Sequence, residues 1–199
     1  MKDYIEVNNK ITRSNIECFD DSADKKAMRD RCSEEFELFS KYVDKEKNIL
    51  DIGCRNGAWM EYLIEQEYEY PVGIDTTPEV IQLCKDKGLI VFEHDAHDLS
   101  AFYEGEYDAV SIIHTLEHCP NPSKVINEIH RILDTDGILF VEVPIQKQEA
   151  PELWGHFHCF TSEDEVIKLI SSKFSILEMQ RMTPPSKKPW FRLIAKKEK

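Results

Sequence analysis

The chain has 199 residues, a formal net charge of −13 and 41% hydrophobic side chains. That is enough apolar material for one domain with a single core, and too much for a disordered chain. No apolar run is long enough to span a bilayer, and Met1 to Glu6 lacks the apolar stretch of a signal peptide; a cytoplasmic protein with no membrane partner is expected. Six scattered cysteines, none in a C-x-x-C pair, fit reduced thiols better than a disulfide framework or a zinc site. The charge is uneven. Residues 51–150 carry 20 acidic and 6 basic side chains, a balance of −14, which disfavours a nucleic-acid backbone and leaves a small molecule or a protein as substrate. The last 49 residues are net basic, and Lys187, Lys188, Arg192, Lys196, Lys197 and Lys199 read as solvated edge lysines that block aggregation.

Residues 1–21 show no clear apolar period and read as a mobile arm or lid. From Asp24 to Val43 the set Met28, Cys32, Phe36, Phe39, Val43 recurs at steps of four and three, one face of an amphipathic helix. Residues 1–44 are therefore expected to form an arm and lid helix ahead of a domain at 45–199. A strand over 48–52 runs into the glycine turn Gly53-Cys54-Arg55-Asn56-Gly57. A helix follows, with Trp59, Met60, Leu63 and Ile64 inward. Strand 71–75 ends in Asp75, and Thr77-Pro78 caps and opens a helix that stops at Gly88.

Strand 89–94 comes next, and then the continuous apolar run at 107–113, which suggests a central strand covered on both faces. Asn121-Pro122 opens a helix with Val125, Ile126, Ile129, Ile132 and Leu133 inward. Asp136-Gly137 turns into strand 138–143. Thr161 to Asp164 resembles a capping box, and strands near 174–182 and 190–196 close the chain around Pro184-Pro185. Alternating strands and helices imply a doubly wound, mostly parallel α/β sheet with helices on both faces and a closing antiparallel hairpin.

Leu50-Asp51-Ile52-Gly53-Cys54-x-x-Gly57, followed by the strand-end acid Asp75, is the layout of a nucleoside-binding βαβ unit. Dinucleotide sites use G-x-G-x-x-G; this chain has G-x-x-x-G. The wording resembles the first motif of class I S-adenosylmethionine-dependent methyltransferases of the small-molecule type. Members of that class have seven strands, the last inserted antiparallel; the expected closing hairpin matches this, and the resemblance covers roughly residues 45–196.

The resemblance implies S-adenosylmethionine as cofactor and a role for each strand end. Asp51 would orient the methionine amino group, and Gly53, Cys54 and Gly57 would bring backbone close to the ligand. Asp75, with Thr76 after it, would take both ribose hydroxyls. Asp95, Ala96 and His97 would face the adenine, and His114 would border the methionine part. Arg55 stands where the family often has glycine, so it either points away from the ligand or swings toward its carboxylate.

Four histidines fall in loops after strands four and five: His114, His118, His156 and His158. If the acceptor must lose a proton, His118 and His158 are the candidate bases, expected to face each other across the mouth of the pocket. The stretch His156-x-His158-Cys159 is not a usual structural zinc spacing, and no metal site is expected. The function read from the sequence is methyl transfer to a small molecule, at oxygen before nitrogen or carbon. A nucleic-acid methylase using the basic tail and a non-catalytic binding module are the competing readings.

Overall fold

The structure is a computed structural model describing residues 2–15, 22–69, 71–146, 155–182 and 189–198. The expected Pro184-Pro185 turn and the tail residues Lys187, Lys188 and Lys199 lie outside the described residues.

Two helices lead the chain, α1 (Lys2–Asn15) and α2 (Ser22–Phe39). Then come β1 (Ile49–Ile52), α3 (Ala58–Glu65), β2 (Val72–Asp75), α4 (Pro78–Asp86), β3 (Ile90–Glu93) and β4 (Tyr107–Ile113). After a 3-10 turn at Leu116–His118, α5 (Pro122–Ile132), β5 (Leu133–Pro144), α6 (Glu163–Ser171), β6 (Phe174–Met182) and β7 (Trp190–Lys197) complete the fold. The strands form one sheet in the order β3-β2-β1-β4-β5-β7-β6. All pairings are parallel except those of β7, which runs antiparallel to β5 and β6. This is the doubly wound sheet expected from the sequence.

Side chains alternate across the sheet, and both faces are apolar. Leu50, Val110, Leu139 and Leu193 pack against Val125 and Ile129 of α5 and Val166 and Ile170 of α6. Their neighbours Ile49, Ala109, Phe140 and Ile194 pack against Cys32, Leu38 and Phe39 of α2 and Trp59 and Leu63 of α3. Toward the carboxyl ends of the strands this second face turns polar. Asp51, Ser111, Glu142 and Arg192 occupy four neighbouring strands there, each buried. Arg192 Nε donates to Glu142 Oε2 at 2.6 Å, and its NH1 group donates to the Glu34 carbonyl of α2 at 2.8 Å. Losing one partner of such a buried pair strands a charge and typically costs about 3–5 kcal/mol.

Four expectations need correction. Arg192, Lys196 and Lys197 are not on an edge strand, because β7 lies between β5 and β6, and Arg192 is buried rather than solvated. Residues 2–15 are helical, because the inward face of α1 is built of Tyr4, Asn8 and Asn9, whose polarity hides the period. Ile64 is 47% exposed rather than inward. The inner face of α2 includes buried Glu35 and Leu38 beside the expected Cys32 and Phe39, while Met28 is only half-buried.

Candidate functional site

A cavity of about 500 Å³ opens at the carboxyl ends of the parallel strands, where ligands collect in sheets of this kind. Its floor is the β1 turn. Gly53 (φ +74°) and Cys54 both donate their N–H to the Ile74 carbonyl, pinning the turn to β2. A side chain at Gly53 would collide with Thr115, so glycine is required by packing as well as by backbone angle. Arg55 holds φ +51°, a left-handed conformation that favours glycine, and its N–H donates to Asp75 Oδ2 at 3.1 Å. The other carboxylate oxygen, Oδ1, accepts from Thr77 N at 2.9 Å. Burial raises the Asp75 pKa and these backbone bonds oppose it.

Helix α1 forms the wall opposite. Tyr4, Asn8, Ile11 and Thr12 line the cavity from one helical face. Asn9 Nδ2 donates to the Thr76 carbonyl at 2.9 Å, and the hydroxyls of Thr76 and Thr77 donate to Asn9 Oδ1 at 3.0 Å. Asn8 donates to the His118 carbonyl at 3.1 Å, and Arg13 pairs with Glu79 at 2.7 Å. Tyr4 Oη donates to Asp95 Oδ1 at 2.5 Å. The same oxygen accepts the His97 backbone N–H at 2.8 Å and lies 2.8 Å from His97 Nδ1. Burial works to raise the Asp95 pKa, but the bonds from His97 and Tyr4 outweigh it and hold it at about 2.

A smaller recess of about 70 Å³ shares Arg31, Gly53, Arg55 and His114 with the cavity. Asp51 and Cys54 line it. Asp51 Oδ1 accepts from Ser111 Oγ at 2.8 Å, and Ser111 in turn accepts from Trp59 Nε1 at 3.2 Å. Burial pushes the Asp51 carboxyl up to about 7 against the Ser111 bond. Arg31 pairs with Glu35 at 3.1 Å; burial lifts Glu35 to about 8 although Arg31 opposes it. His114, at φ +48°, lies 2.9 Å from Glu142 and 3.4 Å from Glu117. Burial alone lowers its pKa, and the two carboxylates reverse this and raise it to about 9.

A family model described as a methyltransferase domain matches residues 25–181. The chain belongs to this methyltransferase family. S-adenosylmethionine is the cofactor, and the fold is the Rossmann-like class I type. Among curated relatives, a ubiquinone biosynthesis O-methyltransferase of Histophilus somni is 29% identical over 105 residues, which cover 48% of this chain and 44% of the relative. One from Xylella fastidiosa is 31% identical over 99 residues, 47% of this chain and 40% of the relative. The chain thus matches less than half the length of these relatives.

In fold it is similar to the 1,6-didemethyltoxoflavin-N1-methyltransferase of Burkholderia thailandensis, with TM-score 0.76 and 19% identity over 100% of this chain and 90% of that one. A methyltransferase of Methanosarcina mazei gives 0.69 at 21%, covering 81% of this chain and 97% of that one. A [4+2]-cyclase gives 0.69 at 17%, covering 81% and 80%, so the fold alone does not fix the reaction.

The methyltransferase cavity gathers Gly53, Asp75, Thr76, Asp95, Ala96, His114 and His118 from the sequence expectation, with Asp51 and Cys54 in the adjoining recess. Its size suits a nucleoside of the cofactor's dimensions, and its carboxylates Asp75, Asp95 and Glu117 stand beside Arg31 and Arg55. Three expected residues stand elsewhere. Gly57 (φ +77°) abuts Leu89 and serves the turn, not the cavity wall. His97 is buried behind Asp95, its Nε2 accepting the Asn121 N–H at 3.3 Å. His158 does not face His118: its Nε2 pairs with Glu165 Oε1 at 3.0 Å at the start of α6, and its ring packs on Phe160. The ring that meets His118 is that of His156, with centroids 4.9 Å apart.

Sequence reasoning missed Tyr4, Asn8 and Arg31, which carry no motif, and Glu117, which lies beside His118 in a stretch read only for its histidine. The mixed Tyr4-Asn8-Ile11-Thr12 stripe, spaced at i, i+4, i+7 and i+8, is the one signal that could have found the α1 face.

Proposed function

We propose that this protein transfers a methyl group from S-adenosylmethionine to an oxygen of a small molecule. The observation that carries the reading is the split of one cavity into two ends. Asp75 and Asp95 stand at the ends of β2 and β3, and Glu117, His118 and His156 stand beyond the ends of β4 and β5. The first end suits a nucleoside. Asp75 would accept from the ribose hydroxyls, and Asp95 from the adenine amino group through Oδ2, the oxygen its internal bonds leave unused. Arg31 and Asp51, in the recess, have the charges to hold the methionine carboxylate and ammonium.

When bound, the cofactor supplies a sulfonium methyl that leaves in line as a neutral thioether is released, so the protein's task is positioning and exclusion of water. Helix α1 is suited to the second task as a lid, since its latch residues bond to the segments after β2, β3 and β4. At the acceptor end His118 Nδ1 donates to the Gly155 carbonyl at 2.9 Å, which places the lone pair on Nε2, the nitrogen able to take up a hydroxyl proton. Oxygen as the acceptor atom is supported by the curated relatives named as O-methyltransferases. The net acidic balance of residues 51–150 supports a small molecule over a nucleic acid.

The test is incubation with methyl-labelled S-adenosylmethionine and a cell extract divided into metabolites, RNA, DNA and protein. Label in the metabolite fraction, released by reagents that cleave methyl ethers or esters, is expected. Label confined to RNA or DNA would overturn the reading. Tight cofactor binding with no label in any fraction would favour a non-catalytic binding protein.

A further inference from the structure

Glu117, His118 and His156 converge on the cavity wall. Each offers one ligand atom, and these atoms lie within 4.8 Å of one another. The two rings are set in the same way. His118 Nδ1 faces the Gly155 carbonyl at 2.9 Å, and His156 Nδ1 faces Gln146 Oε1 at 3.0 Å. The Cys159 thiol also donates to that amide oxygen, at 3.8 Å. With an oxygen facing each Nδ1, the neutral ring carries its proton there and presents its lone pair on Nε2. Histidine ligands of metal ions are held in this manner, with the second nitrogen tied to an oxygen. Glu117 is 2% exposed, and its Oε2 is buried with no hydrogen-bond partner among the described residues. Its Oε1 faces His114 Nδ1 at 3.4 Å. A buried carboxylate oxygen without a donor is costly, and a cation beside it removes that cost.

We propose that Glu117, His118 and His156 bind one divalent transition-metal ion of the zinc type. Two imidazoles and one carboxylate suit zinc and its neighbours in the first transition row, whereas magnesium and calcium prefer all-oxygen sets. An ion bound at roughly 2.0–2.2 Å from each ligand needs ligand atoms about 3–3.5 Å apart, so side-chain rotations close the set. Three protein ligands leave coordination positions open. All three residues line the main cavity, so the open positions face it.

Binding of the ion does not depend on the methyl-transfer reading; its use there does. In that reading an acceptor oxygen takes an open position, its pKa falls, and its proton passes to solvent before transfer. His118 is then a ligand, and the ion takes over the handling of that proton.

The experiment uses the full chain stripped with a chelator. Zinc is titrated by calorimetry and cobalt by absorbance, with S-adenosylhomocysteine titrated separately. One ion per chain is expected, and a cobalt spectrum of nitrogen and oxygen ligation. His156→Gln, His118→Gln and Glu117→Gln should each weaken zinc binding at least tenfold while retaining cooperative melting. Gln146→Leu, which removes the amide oxygen behind His156 and leaves all three ligands in place, should weaken it about 10–100-fold. Absence of saturable zinc binding overturns the proposal. So does unchanged affinity in the histidine variants, or a sulfur-to-cobalt charge-transfer band, which would place the ion on cysteines. Zinc binding without S-adenosylhomocysteine binding would sink the cofactor assignment and leave the metal site standing; the reverse would sink the metal site alone.

Discussion

Tyr4 in the first helix and Asp95 after β3, 91 positions apart, share a hydrogen bond of 2.5 Å. Burial, and then Asp95 itself, raise the Tyr4 pKa, so the phenol remains the donor. The contact ties α1 to the carboxylate proposed to recognise adenine, and cofactor binding and lid position are thereby linked.

Tyr4→Phe should loosen the lid. A hydrogen bond to a charged acceptor is worth about 1.5–3 kcal/mol, so opening of α1 should increase about ten- to a hundredfold. Limited proteolysis within residues 1–21 measures this. S-adenosylhomocysteine should slow cleavage of the native chain and protect the variant less. Equal cleavage of the native chain with and without ligand would count against a lid.

Asp75→Ala should weaken S-adenosylhomocysteine binding at least about tenfold, since it removes the acceptor proposed for two ribose hydroxyls, each worth roughly 1.5–3 kcal/mol. It also strips the Arg55 and Thr77 N–H groups of their partner. Asp75→Asn, which keeps one acceptor oxygen, should lose less. An unchanged dissociation constant in a folded Asp75→Ala protein would place the ribose elsewhere.

The strand ends were legible because each is announced by apolar residues followed by glycine, aspartate or a proline-led helix. The positions of Asp51, Asp75 and Asp95 at or just past strand ends are therefore readable from order alone. What stayed hidden is what depends on two distant segments meeting. Nothing local says that Tyr4 reaches Asp95, or that Glu142 inside an apolar strand pairs with Arg192 across the sheet. His158 was misplaced for the opposite reason. Its loop was judged by position along the chain, but the capping residues of α6 already use it, since Glu165 binds His158 Nε2 and Thr161 N together. The helix of residues 2–15 was missed because its buried face is polar.

Asp51 should give the protein a pH-dependent stability. Its carboxyl is raised by burial to about 7 when folded, against about 3.9 in an unfolded chain. Between those values the folded state holds a proton that the unfolded state has lost. Stability contributed by the neutral carboxyl is thus complete below about pH 4 and disappears as pH rises through about 7. Buried Glu35, raised to about 8, adds a fall of the same sign. Asp51→Asn should remove its share, so the difference in unfolding free energy between pH 5 and pH 7.5, taken from urea titrations, should narrow by about 2 kcal/mol. A cofactor ammonium beside Asp51 would restore the carboxylate, so binding near pH 6 should release a proton, seen by calorimetry in buffers of different ionisation enthalpy. An unaltered pH dependence in Asp51→Asn, with no proton released, would show that Asp51 is already ionised in the free protein.

His118 and His158 should separate cleanly on an identified acceptor. His118 lines the cavity with its lone pair on Nε2, so His118→Gln removes the nitrogen that meets the acceptor, directly or through an ion. Turnover should fall about a hundredfold or more, the usual worth of acid–base assistance, with cofactor affinity nearly intact. His158 lies outside the cavity, in a pair with Glu165 that is one-third exposed on both sides. Such a pair contributes about 0–1 kcal/mol, so His158→Gln should lower the melting temperature slightly and leave turnover unchanged. The measurements are steady-state rates across pH and thermal melts of both variants. A large rate loss in His158→Gln would mean that its loop swings into the cavity when the acceptor binds. Full turnover in His118→Gln, with an unchanged pH profile, would reduce the acceptor end to a positioning surface with no part in handling the proton.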